Sequence, residues 1–219
     1  MIVRDYMTRH PIMIEPTKKA IEARKLMAEN NIRHLPVVGD GKRVLGLVTR
    51  SRMTVAPETL ASLDVWEITR YLANLTVEKV MVHGGDLHTV GPDATLEEAA
   101  DILIQHKIGG LPVVEDGIVV GVITETDLLV ELQHLLGANE PGCRLTMRVP
   151  DQRGEFSKLA AAISERGWGI MALGSVRSPK DESQWDIVVK VRNCGIDELQ
   201  TVVSDIDGQA VVDLRATMS

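Results

Sequence analysis

Gly121-Val122-Ile123-Thr124-Glu125-Thr126-Asp127 decides the fold, because a β-branched run stops there at a hydroxyl and a helical pattern begins three residues before a carboxylate. Beyond Asp127 the residues Leu128, Leu129, Leu132, Leu135 and Leu136 recur at helical spacing until Gly137, which can supply a left-handed C-terminal stop. The stretch therefore reads as strand, turn and helix. A helix N-terminus offers unpaired N–H groups and a partial positive charge to an anion, and a nearby carboxylate can accept hydrogen bonds from two sugar hydroxyls. Thr124 and Asp127 also have the spacing of a capping box, with Asp in the usual Glu place, so a purely helix-capping role stands beside the nucleotide reading.

The flanking chain repeats this stretch. Ile32-Arg33-His34-Leu35-Pro36-Val37-Val38 matches Ile108-Gly109-Gly110-Leu111-Pro112-Val113-Val114 at an offset of 76, and Gly46-Leu47-Val48-Thr49 matches Gly121-Val122-Ile123-Thr124 at 75. Met7 matches Met81 at 74 and Pro16 matches Pro92 at 76, so the anchors hold register across an internal duplication. Each copy reads as a short extended piece (residues 12–14 and 88–90), a proline-bearing turn and an amphipathic helix. Two β-branched runs and a final helix follow. Thr95 and Glu98 form a capping box with Leu96, Ala99, Ala100 and Leu103 on one face, where the first copy has Ala20, Ala23, Leu26 and Met27. The hairpin runs are 35–38 with 44–49, and 111–115 with 118–124, turned at Gly39-Asp40-Gly41 and Asp116-Gly117.

The doubled I-x-x-L-P-V-V, then G-h-h-T and a helix, resembles a cystathionine β-synthase (CBS) domain pair over residues 1 to about 137. The resemblance implies two copies packed about a pseudo-twofold axis around two clefts that accept adenine nucleotides or other adenosyl ligands. It assigns the ribose to Thr124 and Asp127, the base side to Thr8, Pro11, Met13, Ile32 and Arg33, and phosphates to Arg33 and His34. The first copy departs from the pattern: Thr49-Arg50-Ser51-Arg52 puts Arg52 where the acid should be, and a guanidinium cannot accept a hydrogen bond from a hydroxyl. The second cleft, with Thr49, Arg52, Thr89, Gly109 and Gly110, is thus expected to be the weaker one. Arg52 is read either as a phosphate contact, or as a solvated arginine or a partner for the acidic second copy.

Between the copies, 54–76 reads as a linker helix: Val55-Ala56-Pro57-Glu58 signals a turn, and residues 63–72 carry apolar side chains at helical spacing. Trp66 and Tyr71 belong either to a dimer face or to burial against their own domain. The domain plan is 1–53 for CBS repeat 1, 54–76 for the linker, 77–137 for CBS repeat 2 and 143–217 for a further domain.

That last region reads βαββαβ. A strand at 144–149 and the turn Pro150-Asp151-Gln152-Arg153-Gly154 lead to a helix with Phe156, Leu159, Ala160 and Ile163 on one face. Strands at 170–177 and 185–192 follow, then a helix at 196–206 and a strand at 210–215. A strand running into P-D-x-x-G at a helix start resembles the ACT domain, a small-molecule-sensing fold. The likeness implies an effector loop at Asp151, Gly154, Glu155 and Phe156. A G-I-N-I run common after the first helix of that family reads Gly167-Trp168-Gly169-Ile170 here, so a purely dimerising role stands beside effector binding. The order CBS, CBS, ACT is similar to the acetoin-utilisation protein B group. The overall fold class is α/β (α+β).

The 219 residues carry a net charge of −7, which disfavours a nucleic-acid backbone as partner. The total hides a split: residues 1–53 hold 11 basic and 5 acidic side chains, net +6, and residues 77–140 hold 2 and 12, net −10. Opposite charges favour packing of the two copies and, in a dimer of CBS pairs, a head-to-tail arrangement. Cys143 and Cys194 lack disulfide or metal spacing, no apolar run spans a bilayer, and a cytoplasmic location is expected. His83, His88, His106 and His134 lack the i, i+4 spacing of a metal pair, so no metal and no catalytic cofactor are expected. Without a nucleophile–base pair, paired carboxylates or a P-loop, the reading is a non-enzymatic sensor. It binds AMP, ADP, ATP or another adenosyl ligand, forms a homodimer, and regulates a partner protein allosterically, with no nucleic acid and no membrane. The alternative is an interaction scaffold with vestigial clefts.

Overall fold

A computed structural model describes residues 1–53 and 64–217 and divides into two compact units, Met1–Leu128 and Leu129–Ser219. The first opens with α1 (Val3–Tyr6) and the two-residue strand β1 (Thr8–Arg9), then α2 (Ala20–Glu29), β2 (His34–Val38) and β3 (Val44–Thr49). After α3 (Val65–Asn74) the plan repeats as α4 (Val77–Val80), α5 (Leu96–His106), β4 (Gly110–Glu115), β5 (Ile118–Thr124) and α6 (Glu125–Leu135). Both hairpins are antiparallel and carry the same irregularity at matching places, between Val37 and Val38 and between Val113 and Val114.

The extended pieces expected at 12–14 and 88–90 shrink to single parallel bridges, Ile14 to Val37 and Val90 to Val113. The chain turns away at once through Pro16 and Pro92, which have no N–H to extend a ladder. In α5 the expected capping box is present, with Glu98 N–H to Thr95 Oγ1 at 3.1 Å and Thr95 N–H to Glu98 Oε2 at 2.7 Å. Only half of such a box exists at α2, where Glu22 accepts from the Lys19 N–H at 3.3 Å, because an ammonium cannot accept in return. The first copy continues past β3 as one 3-10 turn, Ser51–Met53. The turn read at 55–58 lies outside the described residues. Within the linker, Asp64 and Glu67 cap α3 reciprocally at 2.8 and 3.0 Å, and Trp66 is 80% exposed, so burial against its own domain does not hold for it.

Sequence periodicity misses α1 and α4, which are one turn long and interlock the copies. Val3, from the start of the first copy, is fully buried with Val90, Leu96, Leu111 and Val113 of the second. Val77, from the start of the second copy, is fully buried with Ile14, Ala23, Leu35 and Val37 of the first. Each such valine contributes about 1.5–3 kcal/mol of burial to the other copy's core. Backbone pairing follows the exchange: β1 lies antiparallel to β5, with Thr8 opposite Val122 and Arg9 opposite Gly121, and Leu47 exchanges hydrogen bonds with Val82 at 2.9 and 2.8 Å. The paired glycines of the repeat are explained by this contact. A Cβ on Gly121 would lie 2.3 Å from Met7 Sδ, and one on Gly46 would lie 2.9 Å from Met81 Sδ and 2.5 Å from the Val82 carbonyl. The charge split also meets across the copies, since Arg4 pairs with Asp93 at 2.8 Å and Glu115 at 3.3 Å. These pairs are exposed and contribute little each.

In the second unit β6 (Gly142–Pro150), α7 (Glu155–Ser164), β7 (Gly169–Ser178), β8 (Asp181–Arg192), α8 (Ile196–Ser204) and β9 (Ala210–Thr217) form βαββαβ. Its sheet is antiparallel in the order β7-β8-β6-β9. Leu145, Met147, Ile187 and Val189 face Leu159, Ile163, Leu199 and Val203 in the core. Asp186 and Lys190 alternate to the other face of β8. There Arg148 meets Asp186 with two parallel hydrogen bonds at 2.8 and 2.9 Å, and Lys190, 1% exposed, donates to Thr217 Oγ1.

Gly121→Ala tests the interlock. Overpacking against Met7 should cost about 1–3 kcal/mol in urea unfolding. Adding Met7→Ala should recover part of that loss, and a strictly additive double mutant would mean that the two residues do not meet.

Candidate functional site

Thr124 ends β5 and begins α6, so the strand's last hydroxyl and the helix's first turn meet where the two copies join. Asp127 Oδ2 accepts from both the N–H and the Oγ1 of Thr124, each at 2.7 Å, and the Asp127 N–H points back to Thr124 Oγ1 at 3.4 Å. The capping reading is therefore real. It engages one carboxylate oxygen and leaves Oδ1 out of these bonds, so capping orients the acid without consuming it. The helix N-terminus itself is less open than its sequence implies, because the Glu125 N–H is spent on the Gly109 carbonyl at 3.2 Å.

A cavity of about 690 Å3 opens beside this turn. It brings together Thr124 and Asp127 from the second copy with Thr8, Pro11, Ile32, Arg33 and His34 from the first. Met13, expected on the base side, is not in its wall. Ile12 lines the cavity instead. Sequence reading also missed His10, Asn30, Asn31, Arg50, Val122 and Thr126, which complete the wall. His10 and Asn31 hold φ of 49° and 52°, and an Asn before the I-x-x-L-P run was the one available sign of a left-handed turn there. Arg33 donates to Thr126 Oγ1 at 3.3 Å, fastening the first copy's loop to the second copy's helix.

His34 stands at the junction of the clefts. A Cβ on Gly110 would lie 2.9 Å from its ring carbon Cγ, and one on Gly109 would lie 3.3 Å from Nε2. The Gly109-Gly110 pair thus makes room for the imidazole. Burial pushes the His34 pKa below the ordinary 6.5 and Arg33 pushes it the same way, against the opposing pull of Glu125 and Asp127.

The second cleft holds about 510 Å3 and includes Thr49, Arg52, Gly109 and Gly110 of the expected set, while Thr89 lies outside its wall. His88, its neighbour, lines the cleft instead and stacks on His106 with ring centroids 3.5 Å apart. Arg52 has no carboxylate partner among the described residues, so its pairing with the acidic copy is not seen. No group of three or more His, Cys, Asp or Glu side chains suited to a metal occurs among the described residues. In the second unit a smaller cavity of about 210 Å3 gathers Asp151, Gly154, Glu155 and Phe156 with Ser175 and Trp185. Arg177 holds Asp151 at 2.9 Å and lies 4.7 Å over the Trp185 ring, and this pairing keeps the Asp151 carboxyl below its ordinary value. Glu155 is spent on Lys158 at 2.6 Å and Gln209 at 3.0 Å.

A family model described as "CBS domain" matches residues 3–57 and 77–134. Among solved structures, the chain is similar to a Vibrio cholerae protein described as the acetoin utilization protein AcuB, with 34% identity and a TM-score of 0.52 over 64% of this chain and 96% of that one. It is also similar to the CBS domain pair of protein MJ0100, solved in complex with 5′-methylthioadenosine and S-adenosyl-L-methionine, at 25% identity and a TM-score of 0.51 over 61% of this chain and 97% of that one. Among curated relatives, an inosine-5′-monophosphate dehydrogenase of Korarchaeum cryptofilum is 32% identical over 64% of this chain. The match spans only 26% of that enzyme's length.

The depressed His34 pKa has a defined sign. The unfolded chain takes up the proton first, so stability is level above the ordinary value of 6.5 and falls as pH drops below it. Thermal unfolding from about pH 7.5 to about pH 5 should therefore show a steeper loss in the wild type than in His34→Gln, and parallel curves would remove His34 from the linkage.

Proposed function

The chain belongs to the CBS domain family, and from that premise we propose that it is a non-enzymatic regulatory protein that binds an adenine nucleotide or other adenosyl ligand in its larger cleft. The observation that carries this reading is the meeting of Thr124 and Asp127 with Thr8, Pro11, Ile32, Arg33 and His34 around one cavity, from opposite copies. Asp127 and Thr124 hold the ribose hydroxyls, the segment from Thr8 to Ile12 with Ile32 holds the base, and Arg33 with His34 faces phosphate. The adenosyl ligands in the MJ0100 pair support the ligand class. A ligand that bridges the copies favours one packing of the pair over another, and a differential of about 1–3 kcal/mol would be enough to pass on a signal. The second cleft, with Arg52 for the acid, is the weaker site, and the protein acts in the cytoplasm on a partner protein. Among the described residues no helix is long and apolar enough to cross a membrane.

The second unit has the element order of an ACT domain, and its role in this reading is to dimerise the chain or sense a small effector. Its outer strands β7 and β9 leave backbone groups free for pairing with a twin, with Val176 and Val212 exposed along them. The effector loop is half committed, since Arg177 already holds Asp151. Deleting residues 143–219 should lower the order of assembly in light scattering, and a monomeric full-length chain at high micromolar concentration would sink the dimer.

Isothermal titration tests the ligand site. Asp127→Ala should weaken binding of AMP at least tenfold, a loss of about 1.4 kcal/mol. Unchanged affinity in the folded variant would return Thr124 and Asp127 to capping alone.

A further inference from the structure

Arg24 on α2, Arg33 just before β2 and Arg50 just after β3 line a further cavity of about 600 Å3. Among the described residues none of the three is in an ion pair. That sets them apart from Arg4, Arg144, Arg148, Arg177 and Arg215, each of which meets a carboxylate. Among the described residues Glu125 is the one acid in the wall, against three guanidiniums and His34. Three guanidiniums against one carboxylate leave a positive excess at the chamber; the arginines are exposed, so solvent and salt screen their mutual repulsion, and an incoming anion offsets the excess. Guanidiniums present paired donors that fit phosphate oxygens, so the anion they match best is a phosphate chain.

This chamber adjoins the larger cleft through three shared wall residues. Arg33, His34 and Arg50 line both, whereas Arg24 lines only the chamber. A ligand whose nucleoside sits against Thr124 and Asp127 meets Arg33 and Arg50 with its first phosphate. Only further phosphates reach Arg24.

On the reading proposed above, we infer that the ligand is a nucleoside bearing two or more phosphates in line, with Arg24 as the residue that selects for the terminal ones. The inference also accounts for the basic excess of the first copy, whose residues 1–53 carry the net +6. Those cations are not spread evenly: three of the 11 stand at one chamber.

The test is isothermal titration of the full-length chain with AMP, ADP, ATP and S-adenosylmethionine, in magnesium-free buffer at about 0.15 M salt. Affinity should rise from AMP through ADP to ATP, with ATP at least tenfold tighter than AMP, and S-adenosylmethionine should bind more weakly than ATP. Arg24→Ala, and Arg24→Gln as a second variant, should bring the ATP-to-AMP ratio to about twofold or less while leaving AMP affinity within about twofold. Equal binding of AMP and ATP by the wild type would overturn the phosphate-chain inference and leave the adenosyl site standing. The same holds if Arg24→Ala weakens AMP and ATP alike. No binding of any adenosyl compound would overturn both.

Discussion

The two copies of the first unit are held together by an exchange of buried valines. Val3 completes the core beneath β4 and β5, and Val77 completes the core beneath β2. The exchange is more than a packing detail, because the segment that follows Val3 is the one that reaches the larger cleft. The β1–β5 ladder sets Thr8 opposite Val122, two residues before Thr124, and so brings a wall from one copy to the helix start of the other. A copy cut from the chain at its sequence boundary would lose a fully buried valine and one side of the cleft together. The fold and the shape of the cleft therefore depend on the same contact.

The helix start at Thr124 admits two readings, a cap and a ligand contact, that the sequence presents as rivals. In three dimensions they are compatible, because a carboxylate has two oxygens and the cap engages only Oδ2. The cap also stiffens the side chain, which lowers the ordering cost of any ligand that binds the remaining oxygen. The first copy cannot offer the same arrangement, since Arg52 has donors alone. Two clefts of similar size, about 690 and 510 Å3, thus differ in chemistry more than in volume.

Much of this architecture was legible in the residues. The doubled I-x-x-L-P-V-V fixed both hairpins closely, since Val44–Thr49 and Ile118–Thr124 begin and end where the β-branched runs do. The C-terminal βαββαβ order was readable because apolar periodicity changes cleanly between period two and helical spacing. The one-turn helices α1 and α4 were not readable, since four residues are too few to show a period. The wall residue of the cavity is Ile12 where Met13 was expected, and nothing in the sequence fixes the phase of so short a piece. Arg24 and Arg50 went unnoticed for another reason: a surface arginine in a helix and one after a strand look ordinary until folding sets them side by side.

His34 and Gly110 occupy the same position in the two copies, and they touch. Residues that are equivalent under a twofold relation and also in contact must lie on its axis. A side chain on the axis meets its own image, so two imidazoles there would compete for one space. A duplicated gene starts with identical residues at such a point and can keep them only if they are small. Enlarging one copy's residue commits the other to glycine, and any later change on one side is limited by the other. The repeat is thus least alike at its centre, where one copy carries an imidazole and the other only a hydrogen.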